Sequence, residues 1–253
     1  MPRFFVSKNH IIDGNVTING DDAHHIARSL RMAQGEHITV CDMQGMEYEC
    51  ELCSFEGDRQ VVARVLSQAP VNSEPPVNIV LYQGLPKGDK LDTIIQKAVE
   101  CGASRIVPFE SEYCIARVRP DAEKHKTERR NRIALEAAKQ CGRGILPTVE
   151  STLTFSRMIE QASQADIIIF CYEGEGTLSL KTLLRQAIEN IQLSEHKRLT
   201  ISLIIGSEGG FSEKEACVAK QAGGLLAGLG SRILRTETAS CFVLGCLAYE
   251  FEL

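Results

Sequence analysis

The stretch that decides the fold is Leu199-Thr200-Ile201-Ser202-Leu203-Ile204-Ile205-Gly206-Ser207-Glu208-Gly209-Gly210-Phe211-Ser212-Glu213-Lys214-Glu215. Residues 199–205 form an apolar run of strand length, fit for burial on both faces. The glycines at 206, 209 and 210 then let the backbone turn and approach a ligand closely. Ser212 followed by Glu215 spells a capping box that opens a helix. A buried strand, a glycine loop and a capped helix in succession are the repeating unit of a parallel α/β sheet.

The same rhythm extends to both sides. Residues 166–172 contain Ile167-Ile168-Ile169-Phe170, a second doubly buried strand, and residues 183–191 read as a helix. Residues 224–229 are a further strand, followed by an irregular loop and a C-terminal helix over about 238–250. Upstream, 77–82 is an apolar strand. Residues 90–101 carry Leu91, Ile94, Ile95, Ala98 and Val99 at helical spacing, with Gly102 where a C-terminal cap belongs. Residues 105–109 form a short strand. A long helix starts after Pro120 and stops at Cys141-Gly142. This alternation predicts an α/β domain with a largely parallel sheet and helices on both faces.

The first 71 residues differ. Short strands at 4–6, 15–18, 37–41, 48–54 and 60–66 surround one helix at 22–32, with Gly35, Gly45 and Gly57 at turns. That spacing predicts a small barrel or sandwich. Pro70, Pro75 and Pro76 fall within seven residues and cannot continue a helix or a central strand, so they mark a linker. The expected organisation is therefore a β domain over 1–71, a linker over 72–77 and an α/β domain over 78–253.

The composition is ordinary for a globular protein: 253 residues, 43% hydrophobic and 24% charged. No apolar run approaches a membrane span. Met1-Pro2-Arg3-Phe4-Phe5-Val6 turns polar too soon for a signal peptide. Ten cysteines without such a signal read as thiols of a cytoplasmic protein. Cys50-Glu51-Leu52-Cys53 spells C-x-x-C, but it lies on a strand pattern. There the two sulfurs point to opposite faces, and no second pair completes a zinc site, so no metal is expected.

Three loops beyond consecutive C-terminal strands share a glycine-rich or irregular character. They are Phe170-Cys171-Tyr172-Glu173-Gly174-Glu175-Gly176, Ile205-Gly206-Ser207-Glu208-Gly209-Gly210-Phe211 and Leu229-Gly230-Ser231-Arg232-Ile233-Leu234-Arg235-Thr236-Glu237-Thr238-Ala239. Ligands of open α/β sheets bind beyond such strand ends. Neither G-x-G-x-x-G nor G-x-x-x-x-G-K-[ST] occurs, which argues against a dinucleotide oxidoreductase and against a P-loop enzyme. Glu173, Glu175 and Glu208 would repel a pyrophosphate but suit ribose hydroxyls and positive charge.

The second and third of these loops closely resemble the two C-terminal signatures of the RsmE family. Those are SPOUT-superfamily methyltransferases that modify uridine at N3 in small-subunit (16S) ribosomal RNA. The resemblance extends to Met1–Val6, to His24-His25 with Leu30-Arg31, to Leu85-Pro86-Lys87-Gly88-Asp89-Lys90, to Gln96-Lys97-Ala98-Val99-Glu100 and to Gln140-Cys141-Gly142-Arg143 with Pro147. It spans essentially the whole chain. It implies a PUA-like or OB-like N-terminal β-barrel that binds RNA, then a SPOUT-type α/β domain tied in a C-terminal trefoil knot, acting as a homodimer. The cofactor implied is S-adenosyl-L-methionine. It would be held by Glu173, Gly174, Ile205, Gly206, Gly210, Leu229, Gly230, Ile233, Leu234, Arg235, Thr238 and Ala239. The partner implied is ribosomal RNA within the assembled small subunit, with no membrane. Three positions depart from the family pattern: Ser207 stands where Pro is usual, and Tyr113-Cys114 where Arg-Ser is common.

For the chemistry, Arg235 and Arg143 are expected to stabilise negative charge that develops on uracil oxygens, through planar guanidinium donors. Glu208 is the carboxylate best placed for base work or ligand binding. The net charge of −5 argues at first against a nucleic-acid partner. Its distribution does not. Residues 1–71 hold 6 Lys/Arg against 10 Asp/Glu, whereas 117–143 hold nine Lys/Arg, Arg119 among them, against four Asp/Glu. Arg3, Arg28, Arg31, Lys87, Arg129, Arg130 and Arg143 are the candidate RNA contacts. The competing readings are a non-catalytic RNA-binding or ribosome-assembly protein on the same fold, and methylation of a different RNA position.

Overall fold

The computed structural model describes residues 1–118, 120–190 and 198–252. The chain divides into two compact units, one of residues 1–74 with 138–146, the other of residues 75–137 with 147–253. The expected division places 138–146 wholly in the α/β domain; the structure assigns this stretch to the first unit.

In the first unit the strands are β1 (Arg3–Phe5), β2 (Ile11–Ile12), β3 (Asn15–Asn19), β4 (His37–Cys41), β5 (Met46–Glu56) and β6 (Gln60–Pro70). They form one six-stranded sheet in the order β1-β4-β5-β6-β3-β2, in which only the β1–β4 ladder is parallel. No ladder joins β1 to β2 among the described residues, so the expected barrel is a sheet with two free edges by hydrogen bonding. Alternating residues of these strands point inward. Phe4, Val16, Ile18, Ile38, Val40, Cys50, Leu52, Val61 and Ala63 meet Ala23 and Ile26 in one core. Register shifts in β5 at Glu49/Cys50 and Leu52/Ser54 are the bulges that bend so long a strand around that core.

The helix expected over 22–32 is shorter. α1 (Asp21–His24) passes into a π-helical turn, His25–Ser29, and the chain leaves with Arg31 at φ 53°, in the left-handed region. The C-x-x-C pair behaves as its strand predicts. Cys50 is buried, and burial pushes its thiol up to about 12, while Cys53 is half-buried. Among the described residues no group of three or more His, Cys, Asp or Glu is placed to hold a metal ion.

The segment 138–146 is held in this unit by charge. Glu74 sits in the proline-rich linker and accepts from the Nε of Arg143 at 3.0 Å and its Nη2 at 2.7 Å. It also accepts from the backbone N–H groups of Gly144 and Ile145 at 2.9 and 3.1 Å. Lys139 pairs with Asp22 at 2.8 Å and lies over the Phe4 ring.

The second unit contains β7 (Asn78–Gly84), α2 (Lys90–Glu100), β8 (Ala103–Glu110), α3 (Pro120–Cys141, whose last turn belongs to the first unit), β9 (Thr148–Val149), β10 (Leu153–Thr154), α4 (Phe155–Ala162), β11 (Ile167–Cys171), β12 (Leu178–Ser179), α5 (Leu180–Asn190), β13 (Thr200–Ile205), α6 (Glu213–Gln221), β14 (Leu225–Gly228) and α7 (Thr236–Phe251). Ile191, the last residue of the helix expected over 183–191, lies outside the described residues, as does Arg119. The sheet runs β10-β8-β7-β13-β11-β14-β12, with β9 also on β8, and every ladder is parallel.

Period-2 alternation gives each central strand two buried faces. Val80, Tyr82, Val107, Phe109, Ile168, Phe170 and Ile204 meet α4 and α6 through Met158, Ala162, Ala216 and Ala219. On the other face α2 and α7 pack against each other. No helix among the described residues is long and apolar enough to cross a membrane.

Candidate functional site

Strands β13, β11 and β14 are neighbours, and their carboxyl ends lie side by side. The three glycine-rich or irregular loops leave from these ends and enclose a cavity of about 770 Å³. That volume is within the range that holds a small molecule. Glu173 and Gly174 of the first loop line it. So do Ile205, Gly206 and Gly210 of the second, and Leu229, Gly230, Ile233, Leu234 and Arg235 of the third, with Ala239 from α7.

Thr238 does not line the cavity. The helix begins two residues earlier than expected, with Arg235 as N-cap, so Thr238 turns to solvent and Thr236 takes the inward place.

The loops are fixed by groups that periodicity does not single out. Gln83, fully buried at the end of β7, is in register with Ile205 of β13. Its Nε2 donates to Thr236 Oγ1 at 2.9 Å and to the Gly206 carbonyl at 3.3 Å. Its Oε1 accepts from Ser240 Oγ at 2.6 Å, and Thr236 Oγ1 donates to the Gly206 carbonyl, also at 2.6 Å. One amide thus ties β7, the second loop and the first turn of α7 into a satisfied buried network.

Phe211 closes the second loop from below. Its ring lies 4.2 Å from that of Phe170 and stacks on Phe109 at 6.1 Å. Ser212 then starts α6: its Oγ accepts from the Glu215 N–H while Glu215 accepts from the Ser212 N–H, the expected capping box.

Close backbone packing explains the glycines. A Cβ on Gly84 would stand 2.6 Å from the Ser207 nitrogen and 2.9 Å from the Gly206 carbonyl carbon. Both are backbone atoms and cannot swing aside. Gly84→Ala is therefore expected to push the second loop into the cavity and to cost about 1–3 kcal/mol of stability, an overpacking penalty. Thermal unfolding checks this; an unshifted midpoint would contradict it.

Ser207 also lines the cavity, and its Oγ is buried without a partner among the described residues. Buried hydroxyls are ordinarily paired, and this one is a free donor and acceptor at the cavity wall.

The charges at the rim rearrange the expected roles. Glu208 accepts from Lys90 Nζ at 2.8 Å and from the Lys87 backbone N–H at 3.1 Å. Partial burial raises its pKa, but the Lys90 ammonium and the backbone donors outweigh this and hold the carboxyl below its ordinary range. These contacts make Glu208 a clasp that joins the loop before α2 to the second loop, and a lowered pKa does not favour the base work that is one of its two expected roles.

Lys90, not anticipated as a site residue, lines the cavity and lies 3.6 Å from Glu237 as well. Its motif, Lys-Gly-Asp-Lys, is visible in the sequence, but nothing there shows that the second lysine reaches the cavity. Arg235 lines the cavity, is exposed, and has no side-chain hydrogen bond or ion pair among the described residues.

Arg143 lies outside the cavity: its side chain is 4% exposed and paired with Glu74 in the first unit, which gives it a structural role. Arg130 is likewise outside the lining, buried beside Glu123 at 3.6 Å. Arg3 is mostly buried, paired with Glu47 at 2.9 Å and donating to Cys41 Sγ. Arg28 and Arg129 are exposed but paired with Asp58 and Asp92. Arg31 and Lys87 are exposed.

Comparison with known proteins gives a consistent answer across the chain. A family model described as an RNA methyltransferase domain matches residues 73–248, and one described as an RNA methyltransferase PUA domain matches residues 18–66. The chain is similar to a Bacillus subtilis protein named ribosomal RNA small subunit methyltransferase E, with 34% identity over 100% of this chain and 98% of that one. It is similar in structure to a Neisseria gonorrhoeae protein of the same name, solved bound to S-adenosyl methionine. That match has a TM-score of 0.81, 28% identity, and coverage of 99% and 98%. A putative methyltransferase from Legionella pneumophila, solved in complex with the same cofactor, matches with a TM-score of 0.84, 25% identity and the same coverage.

Proposed function

The chain belongs to the RNA methyltransferase family, with the ribosomal RNA small subunit methyltransferase E proteins as its relatives, and on that premise we propose that it uses S-adenosyl-L-methionine to methylate N3 of a uridine in 16S ribosomal RNA. The observation that carries the reading is the cavity at the ends of β11, β13 and β14. It has glycine-built walls, the unpartnered Ser207 hydroxyl and the cations Lys90 and Arg235. Residues of the three loops would hold S-adenosyl-L-methionine, which would supply an electrophilic methyl group on a sulfonium centre. The Gln83–Thr236–Ser240 network fixes the walls against which cofactor and base would be positioned.

The neutral imide of uracil is a poor nucleophile. Arg235 favours its N3-deprotonated form by stabilising charge on a flanking oxygen, with solvent taking the proton. Lys90, held between Glu208 and Glu237, is a positioning group of the rim.

The proposal includes a trefoil knot and a homodimer. The first rests on the likeness to the RsmE family over the whole chain. Supporting the second, Phe242 and Tyr249 are exposed on α7 at a helical spacing of seven.

Incubation with methyl-labelled S-adenosyl-L-methionine tests the function. Label is expected in ribosomal RNA of small subunits isolated without the modification and not of large subunits. Absence of transfer, or transfer to large subunits alone, would overturn it.

A further inference from the structure

Tyr113 stands where the family pattern commonly has Arg. It lies on the loop between β8 and α3, and its side chain is among the exposed large hydrophobics at 48%, next to Ile115 at 72%. This exposure is not a loose loop's. The Glu112 N–H donates to Glu215 Oε1 at 2.8 Å, and Ser212 Oγ donates to Glu112 Oε2 at 2.7 Å. The Cys114 N–H donates to the Ser111 carbonyl at 3.2 Å, the Ser111 N–H to Cys114 Sγ at 3.3 Å, and the Val118 N–H to Glu110 Oε1 at 2.7 Å. Glu110, Ser111, Glu112, Cys114 and Val118 are thus pinned, Glu112 to the start of α6.

The pinning sets Tyr113 against the cavity wall from outside. A Cβ on Gly209 would stand 2.7 Å from Tyr113 Cβ and 3.1 Å from the Tyr113 carbonyl oxygen. Only a glycine at 209 permits this approach. Gly209 lines the cavity and Tyr113 does not. An aromatic side chain held beside the site, yet outside the pocket a cofactor would fill, meets what approaches the pocket. Aromatic faces beside a nucleic-acid site serve unpaired bases, which stack on them with little regard to sequence. The cationic side chains of Arg232 and Arg235 at the same cavity suit a polyanion.

We infer that Tyr113 is a substrate-binding residue, whose ring stacks on an unpaired base of the RNA at or beside the methylated uridine. This rests on the RNA methyltransferase reading.

The chain has no tryptophan, so Tyr113→Trp introduces a single reporter at this place. Its fluorescence should be quenched by a short single-stranded, uridine-containing RNA and not by heparin, which offers charge without bases. Tyr113→Ala should raise KM for small subunits by about 5- to 150-fold, the range of one lost base–aromatic stack, with the calorimetric Kd for S-adenosyl-L-methionine unchanged. Tyr113→Phe should restore most of that loss.

Absence of quenching by RNA, a wild-type KM in Tyr113→Ala, or failure of Tyr113→Phe to restore it would each overturn the inference. Quenching by RNA in a protein whose wild type transfers no methyl group would sink the enzymatic reading and leave the stacking contact standing.

Discussion

Arg143→Ala is expected to destabilise the first unit by about 3–5 kcal/mol, the usual result of removing one partner from a buried ion pair. The two side chains are 4% and 11% exposed. Glu74 would keep its charge in a place built to cancel it. Its carboxylate holds the backbone of Gly144 and Ile145 as well as the guanidinium, so the whole 138–146 segment loosens with it.

The pH dependence follows from the sign of the shift. Burial alone would raise the Glu74 pKa, but the Arg143 guanidinium and the two N–H donors outweigh it and hold the carboxyl below its ordinary value. A group with a depressed pKa in the folded state contributes stability above its unfolded value, about 4.3 for Glu. That contribution is lost as pH falls through the folded value. The gap between wild type and Arg143→Ala should therefore be full at neutral pH and narrow in acid. Denaturant unfolding at several pH values measures it; equal stabilities at neutral pH would refute the structural role given to Arg143.

Arg235→Ala is expected to lower turnover at least tenfold, in line with the loss of one preorganised donor at a developing charge. If the guanidinium acts by favouring the deprotonated imide, its loss raises the pH at which N3 ionises. The deficit should then be largest at neutral pH and shrink as the assay is made alkaline. Arg235→Lys keeps the charge without the fork and should recover part of the rate. A wild-type rate in Arg235→Ala would remove Arg235 from the mechanism. A deficit independent of pH would leave it a positioning role alone.

The α/β alternation was legible because doubly buried strands are continuous apolar runs, and the 199–215 stretch carries strand, loop and cap together. What escaped has particular reasons. α4 repeats apolar residues at 155, 158, 159 and 162 behind a Thr154 cap whose Oγ accepts from the Arg157 N–H, a signal present in the sequence but short. Gln83 sits inside an apolar strand, and no periodicity tells a buried networked amide from an edge residue. The Arg143 ion pair is not legible because a motif records that an arginine is needed, not what faces it, and its partner Glu74 lies 69 residues away in the proline-rich linker. Thr238 was misplaced by where α7 starts, and helix ends are the least certain feature of any sequence pattern.

If the cavity at the strand ends serves methyl transfer to N3 of one uridine, small subunits lacking the modification, incubated with the protein and methyl-deuterated S-adenosyl-L-methionine, should yield deuterated 3-methyluridine at a single position of 16S ribosomal RNA by nucleoside mass spectrometry. Label on another base, on another atom of uridine, or on none would contradict that role.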